Sequence, residues 1–400
     1  MGLRILIISD SQSIHTFRMV DLLSRMGHFV YLVCYLDPKF NYNSLQNVNF
    51  FNLSSYRLKV KKLYYFFLHF IQFTLGNLSK KFQGLLQLEK YSVKLKEIID
   101  DIGPDLVHGF FLTNRGFLSA RSGFSPSIST AMGSDVLIES KSSPMSSWIV
   151  KYSLYHSDLI TCTSNSVKRS IARMGIPSEK IVSIPRGVDL NRFSTDSSTV
   201  PSDNRKMESF ETPTLIMTRN FYAVYGVEYF LKSLPEVVKK FPQLKVFLLG
   251  DGPLRERLFR LSSELQIRDN IHFAGYVNET RLGEYLSSAD IYISTSLSDG
   301  SSVSLLEAMA SGLPAIVTDV DSNREWIKDG VNGYIIPKRE SVILSARIIQ
   351  LIGNPRLRVS MGSRNKDIIR QKGDMKKNLQ ILEQYYFRLM NSSRRNQVLS

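Results

Sequence analysis

Ser298-Asp299-Gly300-Ser301-Ser302-Val303-Ser304-Leu305-Leu306-Glu307-Ala308-Met309-Ala310-Ser311-Gly312-Leu313-Pro314 is the stretch on which the reading of this chain turns. A loop ending in Asp299-Gly300 gives way to small serines and then to the helix-forming run Leu305 to Ala310. Gly312 is placed to cap that helix, and Pro314 to prevent its continuation. The first turn of such a helix leaves free N–H groups and a positive dipole end. Gly300, Ser301 and Ser302 are small enough for a pyrophosphate to come close to the backbone there. Asp299 before the helix and Glu307 within it flank that anion site with two carboxylates, which accept hydrogen bonds from hydroxyls. The pattern fits a ligand with phosphates and sugars. Taken alone, the same residues also fit an ordinary amphipathic helix behind a polar loop.

Outward from this stretch, the second half alternates strand and helix. Strands are expected at Thr214 to Met217, Leu244 to Leu249, from Ile271, from Ile291, at Ala315 to Thr318 and at Gly333 to Ile336. Helices are expected at Val227 to Lys240, from Leu254, from Asn323 and from Ser341 onward. The turn Gly250-Asp251-Gly252-Pro253 between strand and helix suits nucleotide binding without being specific for it. The first half follows the same rule, with strands at Arg4 to Ile8, Phe29 to Cys34, Asp105 to Phe110, Ser127 to Ala131, from Asp158 and at Lys180 to Ile184. This order predicts an α/β protein with two doubly wound parallel sheets, whose sites lie at the carboxyl ends of strands. The expected organisation is an N-terminal domain over 1–193, a Ser-, Thr-, Asp- and Pro-rich linker over 194–212, a C-terminal domain over 213–374 and a terminal helix over 375–400.

Four hundred residues suffice for two cores, and 43% hydrophobic with 22% charged residues is the composition of a folded protein. Cys34 and Cys162 sit in separate apolar runs and read as buried free thiols; no metal site is expected. The short apolar run at Arg4 to Ile8 ends at an acid, so it reads as a strand rather than a signal peptide. No run reaches the roughly 18 apolar residues of a membrane span. These features predict a cytoplasmic protein.

The net charge of +15 is concentrated in the first half: residues 1–192 carry 23 Lys and Arg against 13 Asp and Glu, a net +10. Within 57–96, Arg57, Lys59, Lys61, Lys62, Lys80, Lys81, Lys90, Lys94 and Lys96 are offset only by Glu89. Tyr64, Tyr65, Phe66, Phe67, Phe70 and Phe73 lie between the lysine pairs. Basic and aromatic residues in this mixture predict peripheral contact with the anionic inner face of a membrane, or else a helical excursion whose aromatics pack on the sheet.

The spacing of a carboxylate, seven residues and Glu307, followed by Ala-Met-Ala-x-Gly-x-Pro, resembles the acidic signature of the family-four retaining glycosyltransferases. That resemblance implies the GT-B fold: two Rossmann-like domains facing a cleft, with a C-terminal helix crossing back to the first. It implies transfer of a sugar from a nucleotide-sugar to an acceptor hydroxyl, without a metal or other cofactor. The family usually has Glu where this chain has Asp299, one methylene shorter.

By the same resemblance, Glu307 holds the ribose and Asp299 the transferred sugar. Arg219, Asn220, Gly250, Gly300, Ser301, Ser302 and Val303 surround the diphosphate, and Val277 lies against the nucleobase. Where the family pairs that Arg with a Lys before a Gly, this chain has Tyr225-Gly226, which offers a hydrogen bond but no charge. Asp135 is the expected polar contact near the transferred sugar, in a Met132-Gly133-Ser134-Asp135 segment whose Met132 stands where the family often has His. Ser13, His15, His108 and Gly133 are the remaining acceptor-side candidates, and His15 also reads as a simple helix-end residue.

A glycan or lipid-linked acceptor in bacterial surface polysaccharide or glycolipid assembly is the expected partner. A sugar-nucleotide epimerase of the same fold and a non-catalytic polyanion-binding protein are the alternatives. No nucleic-acid-reading motif is present in the sequence.

Overall fold

The computed structural model describes residues 2–57, 80–193 and 212–399. The expected linker 194–212 and the aromatic core of 57–96 therefore lie, except for Thr212 and the ends of the latter, outside the described residues. The chain forms two compact units, residues 1–184 with 379–400 and residues 185–378.

In the first unit, β1 (Arg4–Ile8), β2 (Phe29–Cys34), β3 (Val48–Asn52), β4 (Leu106–Phe110), β5 (Ser127–Ala131), β6 (Leu159–Cys162) and β7 (Ile181–Ser183) make a seven-stranded sheet ordered β3-β2-β1-β4-β5-β6-β7. Every pairing in it is parallel, with Ile7 opposite both Leu32 and His108. Parallel sheets are covered on both faces, which is why Ile5-Leu6-Ile7-Ile8 is apolar throughout and wholly buried. Alternation still sorts the side chains: Ile5 and Ile7 enter one core and Leu6 and Ile8 another. The Val48–Asn52 edge strand is not foreseen in the sequence, because Val-Asn-Phe-Phe-Asn is neither uniformly apolar nor regularly alternating.

The second unit contains β8 (Thr214–Thr218), β9 (Lys245–Leu249), β10 (Ile271–Gly275), β11 (Ile291–Ser294), β12 (Ala315–Thr318) and β13 (Gly333–Ile336), ordered β10-β9-β8-β11-β12-β13 and again all parallel. Leu215, Met217, Ile293 and Ile316 face one core, and Ile216, Tyr292 and Val317 the other. In each unit the chain starts at the middle, winds outward in one direction and then returns to wind in the other. That reversal creates a topological switch point, between β1 and β4 in the first unit and between β8 and β11 in the second.

The last helix, Met375–Leu399, belongs to the first unit from Leu379 onward. Leu379, Leu382, Tyr386 and Met390 pack into the core beside Ile5 and Ile7.

The basic segment does not present all of its lysines. On the helix Lys80–Ile102, Lys90 and Lys94 are buried, and Lys94 Nζ donates to the Leu53 carbonyl at 2.7 Å. Burial pushes both amines below the ordinary lysine value. Glu89 is engaged by Arg121 at 3.0 Å. Lys94 thus caps the chain just past β3, and both lysines are packed into the first unit rather than displayed on its surface.

Candidate active site

The switch point of the second sheet brings the chain just after β8 next to the chain just after β11. Arg219 follows the first of these strands and Asp299 to Ser302 the second. The Arg219 guanidinium pairs with the Asp299 carboxylate and donates to Ser302 Oγ. Asp299 Oδ1 also accepts from the Ser301 amide at 3.1 Å, and its own carbonyl takes the Ser322 hydroxyl at 2.9 Å.

Ser302 is the N-cap of the helix Val303–Ala310, its Oγ accepting from Leu305 N–H at 3.1 Å. The far end closes as foreseen. Gly312 adopts φ +75°, its N–H bonds to the Met309 carbonyl at 3.0 Å, and the Leu313 N–H bonds to that of Ala308 at 3.0 Å. The helix is therefore pinned at both ends, and its N-terminus points from a fixed loop.

Arg219 is only 9% exposed. Burial alone would lower its pKa, but Asp299, Tyr292 and Tyr225 outweigh that and raise it, so the guanidinium is permanently charged. Three buried polar atoms at the ends of these two adjacent strands lack any hydrogen-bond partner: Arg219 Nε, Thr218 Oγ1 and Ser301 Oγ. Buried polar groups are nearly always paired, so these three atoms are open to a polar ligand.

Tyr225 stands where the resembled family has a lysine. Its ring lies 5.1 Å from the Arg219 guanidinium, a cation–π contact that braces the arginine from one side. Gly226 follows at φ +58°, and a Cβ there would meet the Thr295 carbonyl at 2.4 Å. Thr295 Oγ1 in turn donates to the carbonyls of Tyr225 and Gly226 at 3.2 and 2.9 Å. Gly250 comes from β9 with φ +146°, and a Cβ would lie 2.2 Å from the Arg219 carbonyl, so glycine is what lets these two loops touch. Asn220 is exposed beside Arg219, Gly300 is buried, and Ser301 and Val303 are half-buried. Glu307 is buried in the second turn of the helix. Val277 packs its side chain against the core that holds Ile216 and Tyr292.

The acceptor-side candidates of the first unit fall into two groups. Ser13 and His15 are half-buried at the start of the helix Ile14–Arg25, beyond the carboxyl end of β1; Ser13 makes no side-chain cap bond. His108 and Asp135, in contrast, are fully buried and tied into the fold. His108 contacts Tyr386 Oη at 2.7 Å and Thr130 Oγ1 at 2.6 Å, and burial pushes its pKa down to about 3. Asp135 accepts from the amides of Leu112, Met132, Gly133 and Val136 at 2.8 to 3.1 Å. Burial raises its carboxyl against the opposing pull of those amides. Gly133, at φ +115°, makes the turn that lets the carboxylate reach them. As placed, Asp135 organises the loops after β4 and β5. Arg115, at the first helical position after β4, was not singled out in the sequence, and only its place after a strand could have flagged it.

Residues 202–368 match the family described as Glycosyl transferases group 1, and residues 4–164 match that described as Glycosyl transferase 4-like. The chain belongs to the family-four glycosyltransferases. It is 29% identical over 294 residues to the putative glycosyltransferase EpsD of Bacillus subtilis, across 68% of this chain and 74% of that one. It is 23% identical over 215 residues to the lipopolysaccharide core biosynthesis glycosyltransferase LpsE of Rhizobium meliloti, across 54% and 59%. The crystal structure of Anabaena HepE in complex with UDP-glucose superimposes with a TM-score of 0.75 at 16% identity, over 97% of this chain and 100% of that one. That likeness shows the GT-B fold. This glycosyltransferase accordingly moves a sugar from a nucleotide-sugar to an acceptor with retention at the anomeric carbon, as its family does. It departs from the family pattern at Asp299 and Tyr225, and both residues bear directly on Arg219.

Proposed function

We propose that this glycosyltransferase holds a uridine diphosphate sugar on its second unit and passes the sugar to a glycan or lipid-linked hydroxyl on its first, in the assembly of a surface polysaccharide or glycolipid. The observation that carries the donor side is the buried Arg219, joined to Asp299 and to the N-cap Ser302, with Arg219 Nε and Ser301 Oγ unpartnered. HepE is described in complex with UDP-glucose and LpsE as a lipopolysaccharide core enzyme, which supports the uridine base and the class of acceptor.

In this reading the diphosphate takes Arg219 and the amides of Ser301, Ser302 and Val303. Asp299, displaced from Arg219 by the phosphates, turns to the sugar hydroxyls. Glu307 holds the ribose, Asn220 and Gly250 border the diphosphate, and the backbone at Val277 meets the base. Prepositioned donors at the leaving diphosphate are the main source of rate, and the departing phosphate takes the acceptor proton. The reading invokes no metal; among the described residues, no three His, Cys, Asp or Glu converge as ligands.

Residues 57–96 are proposed to touch an anionic membrane from its cytoplasmic side, through the lysines other than Lys90 and Lys94. Among the described residues no helix is long and apolar enough to cross one. Co-flotation with anionic vesicles that is unchanged when Lys61, Lys62, Lys80 and Lys81 become glutamine would remove that part.

The decisive experiment is thermal denaturation with UDP-glucose, UDP-N-acetylglucosamine and GDP-mannose, followed by product analysis with and without a glycan acceptor. A ligand at 100 times its Kd adds about 2.7 kcal/mol to the folded state. Stabilisation by a uridine sugar, lost in Arg219→Met, is expected. Conversion of the donor without acceptor, or indifference to all three nucleotides, would overturn the reading.

A further inference from the structure

The first unit has a switch point of its own, and it is not empty of chemistry. Between the carboxyl ends of β1 and β4 stands Arg115, the first residue of the eight-residue helix Arg115–Ser122, whose N-cap Asn114 accepts the Arg115 amide at 2.6 Å. Its guanidinium reaches Asp10, just past β1, only at 3.8 Å, and lies 5.4 Å from the centre of the Tyr35 ring, just past β2. Tyr35 is itself stacked on Tyr91 at 5.0 Å.

The side chain of Arg115 is 18% exposed, yet its Nε is buried without a hydrogen-bond partner, and so is Tyr35 Oη. Two buried donors are thus left unsatisfied on adjacent loops at the place where doubly wound sheets bind ligands. Asp10 is a weak counterion for this arginine. It is 45% exposed, sits at the outer limit of an ion pair, and its other oxygen is engaged by the Gln12 amide at 3.1 Å.

A guanidinium is shaped to take two oxygens of a carboxylate or phosphate side by side, and such charge-assisted pairs are the strongest hydrogen bonds available. The dipole of the helix that begins at Arg115 has the same sign, as does the net +10 of residues 1–192. We infer that Arg115 is the anchor of an oxyanion subsite and that the acceptor of this enzyme carries a phosphate ester or a carboxylate. This rests on the reading of the first unit as the acceptor side. It adds a charge requirement that the transfer reaction itself does not impose.

The test uses the full chain labelled with nitrogen-15, in which the Arg115 Nε–H signal is assigned by its loss in Arg115→Met. Inorganic phosphate and glucuronate are titrated separately, with glucose as the neutral control. A saturable shift with phosphate alone assigns a phosphate ester, one with glucuronate alone a carboxylate, and one with both an oxyanion of either kind; glucose leaves the signal in place. No shift with either anion overturns the subsite.

Arg115→Met should keep its thermal stabilisation by UDP-glucose, showing an intact fold and donor side. It should also lose an acceptor preference of about tenfold for charged over neutral glycosides. Equal use of charged and neutral acceptors by the unaltered enzyme also counts against the inference. Failure of sugar transfer to every acceptor would instead strike the proposed function, while the titration stayed readable.

Discussion

Arg219 is a buried cation whose charge is balanced by Asp299 and braced by Tyr225, and the two neighbours can be separated by substitution. Arg219→Met leaves the Asp299 carboxylate, with its side chain 10% exposed, without its partner. Breaking a buried pair from one side costs about 3 to 5 kcal/mol, so this variant should lose both stability and transfer. In the double variant Arg219→Met with Asp299→Asn the stranded charge is gone. Its melting temperature should return most of the way, whereas transfer should stay down by about 100-fold or more, the size expected for removing an oxyanion donor. Recovery of transfer along with stability would show that Arg219 only supports the fold. Tyr225→Phe keeps the ring over the guanidinium and should leave the donor KM nearly unchanged. Tyr225→Leu removes about 0.5 to 2 kcal/mol of cation–π contact and should raise that KM severalfold. Equal KM values for the two variants would mean that the ring does not position Arg219.

Elements matter here because two loops and one helix end fix the residues just discussed. Ser302 Oγ both caps the helix Val303–Ala310 and receives Arg219, so Ser302→Ala should cost about 1 to 2 kcal/mol in thermal unfolding and weaken donor use as well. Ser302→Asn can still cap and should recover most of the stability. If alanine and asparagine melt alike, the cap contributes nothing. This helix was legible in the sequence, start and stop, because serine N-caps and the Gly-x-Pro ending follow from backbone hydrogen bonding alone. The strands Arg4–Ile8 and Phe29–Cys34 and the helix Val227–Lys240 were legible for the same reason, since their patterns are set locally. The edge strand Val48–Asn52 was not, because only its pairing with β2 makes it a strand. Nor were the tasks of Asp135 and His108, whose partners are backbone amides and a tyrosine 278 residues away. No local pattern announces a contact of the range of His108 to Tyr386, so a carboxylate and an imidazole in strand-end segments read as ligand contacts, and the bonds that tie both into the fold appear only in the structure. Tyr225 breaks a family pattern in the sequence itself, but its contact with Arg219 arises only from the folded loop.

On the scale of the whole chain, the last helix joins its far end to the first unit through a buried chain of polar contacts, Tyr386 to His108 to Thr130. His108 is completely buried, and desolvation holds its pKa near 3. An unfolded histidine titrates near 6.5. Between those two values the unfolded chain binds a proton that the folded chain refuses, so stability is lost as pH falls through the window and is fully present above it. One such group contributes about 1.4 kcal/mol of loss between pH 7.5 and 5.5. His108→Gln retains a donor and an acceptor but cannot titrate, so its first unit should lose about that much less over the same interval. Each unit holds one of the two tryptophans, Trp148 in the first and Trp326 in the second, so urea unfolding read from Trp148 in a Trp326→Phe background follows the first unit alone. Parallel pH profiles for the chains with and without His108→Gln would mean that His108 is solvated enough to protonate in place. A convergence of the two below pH 6.5 would tie the acid sensitivity of the first unit to the residue that fastens the returning helix.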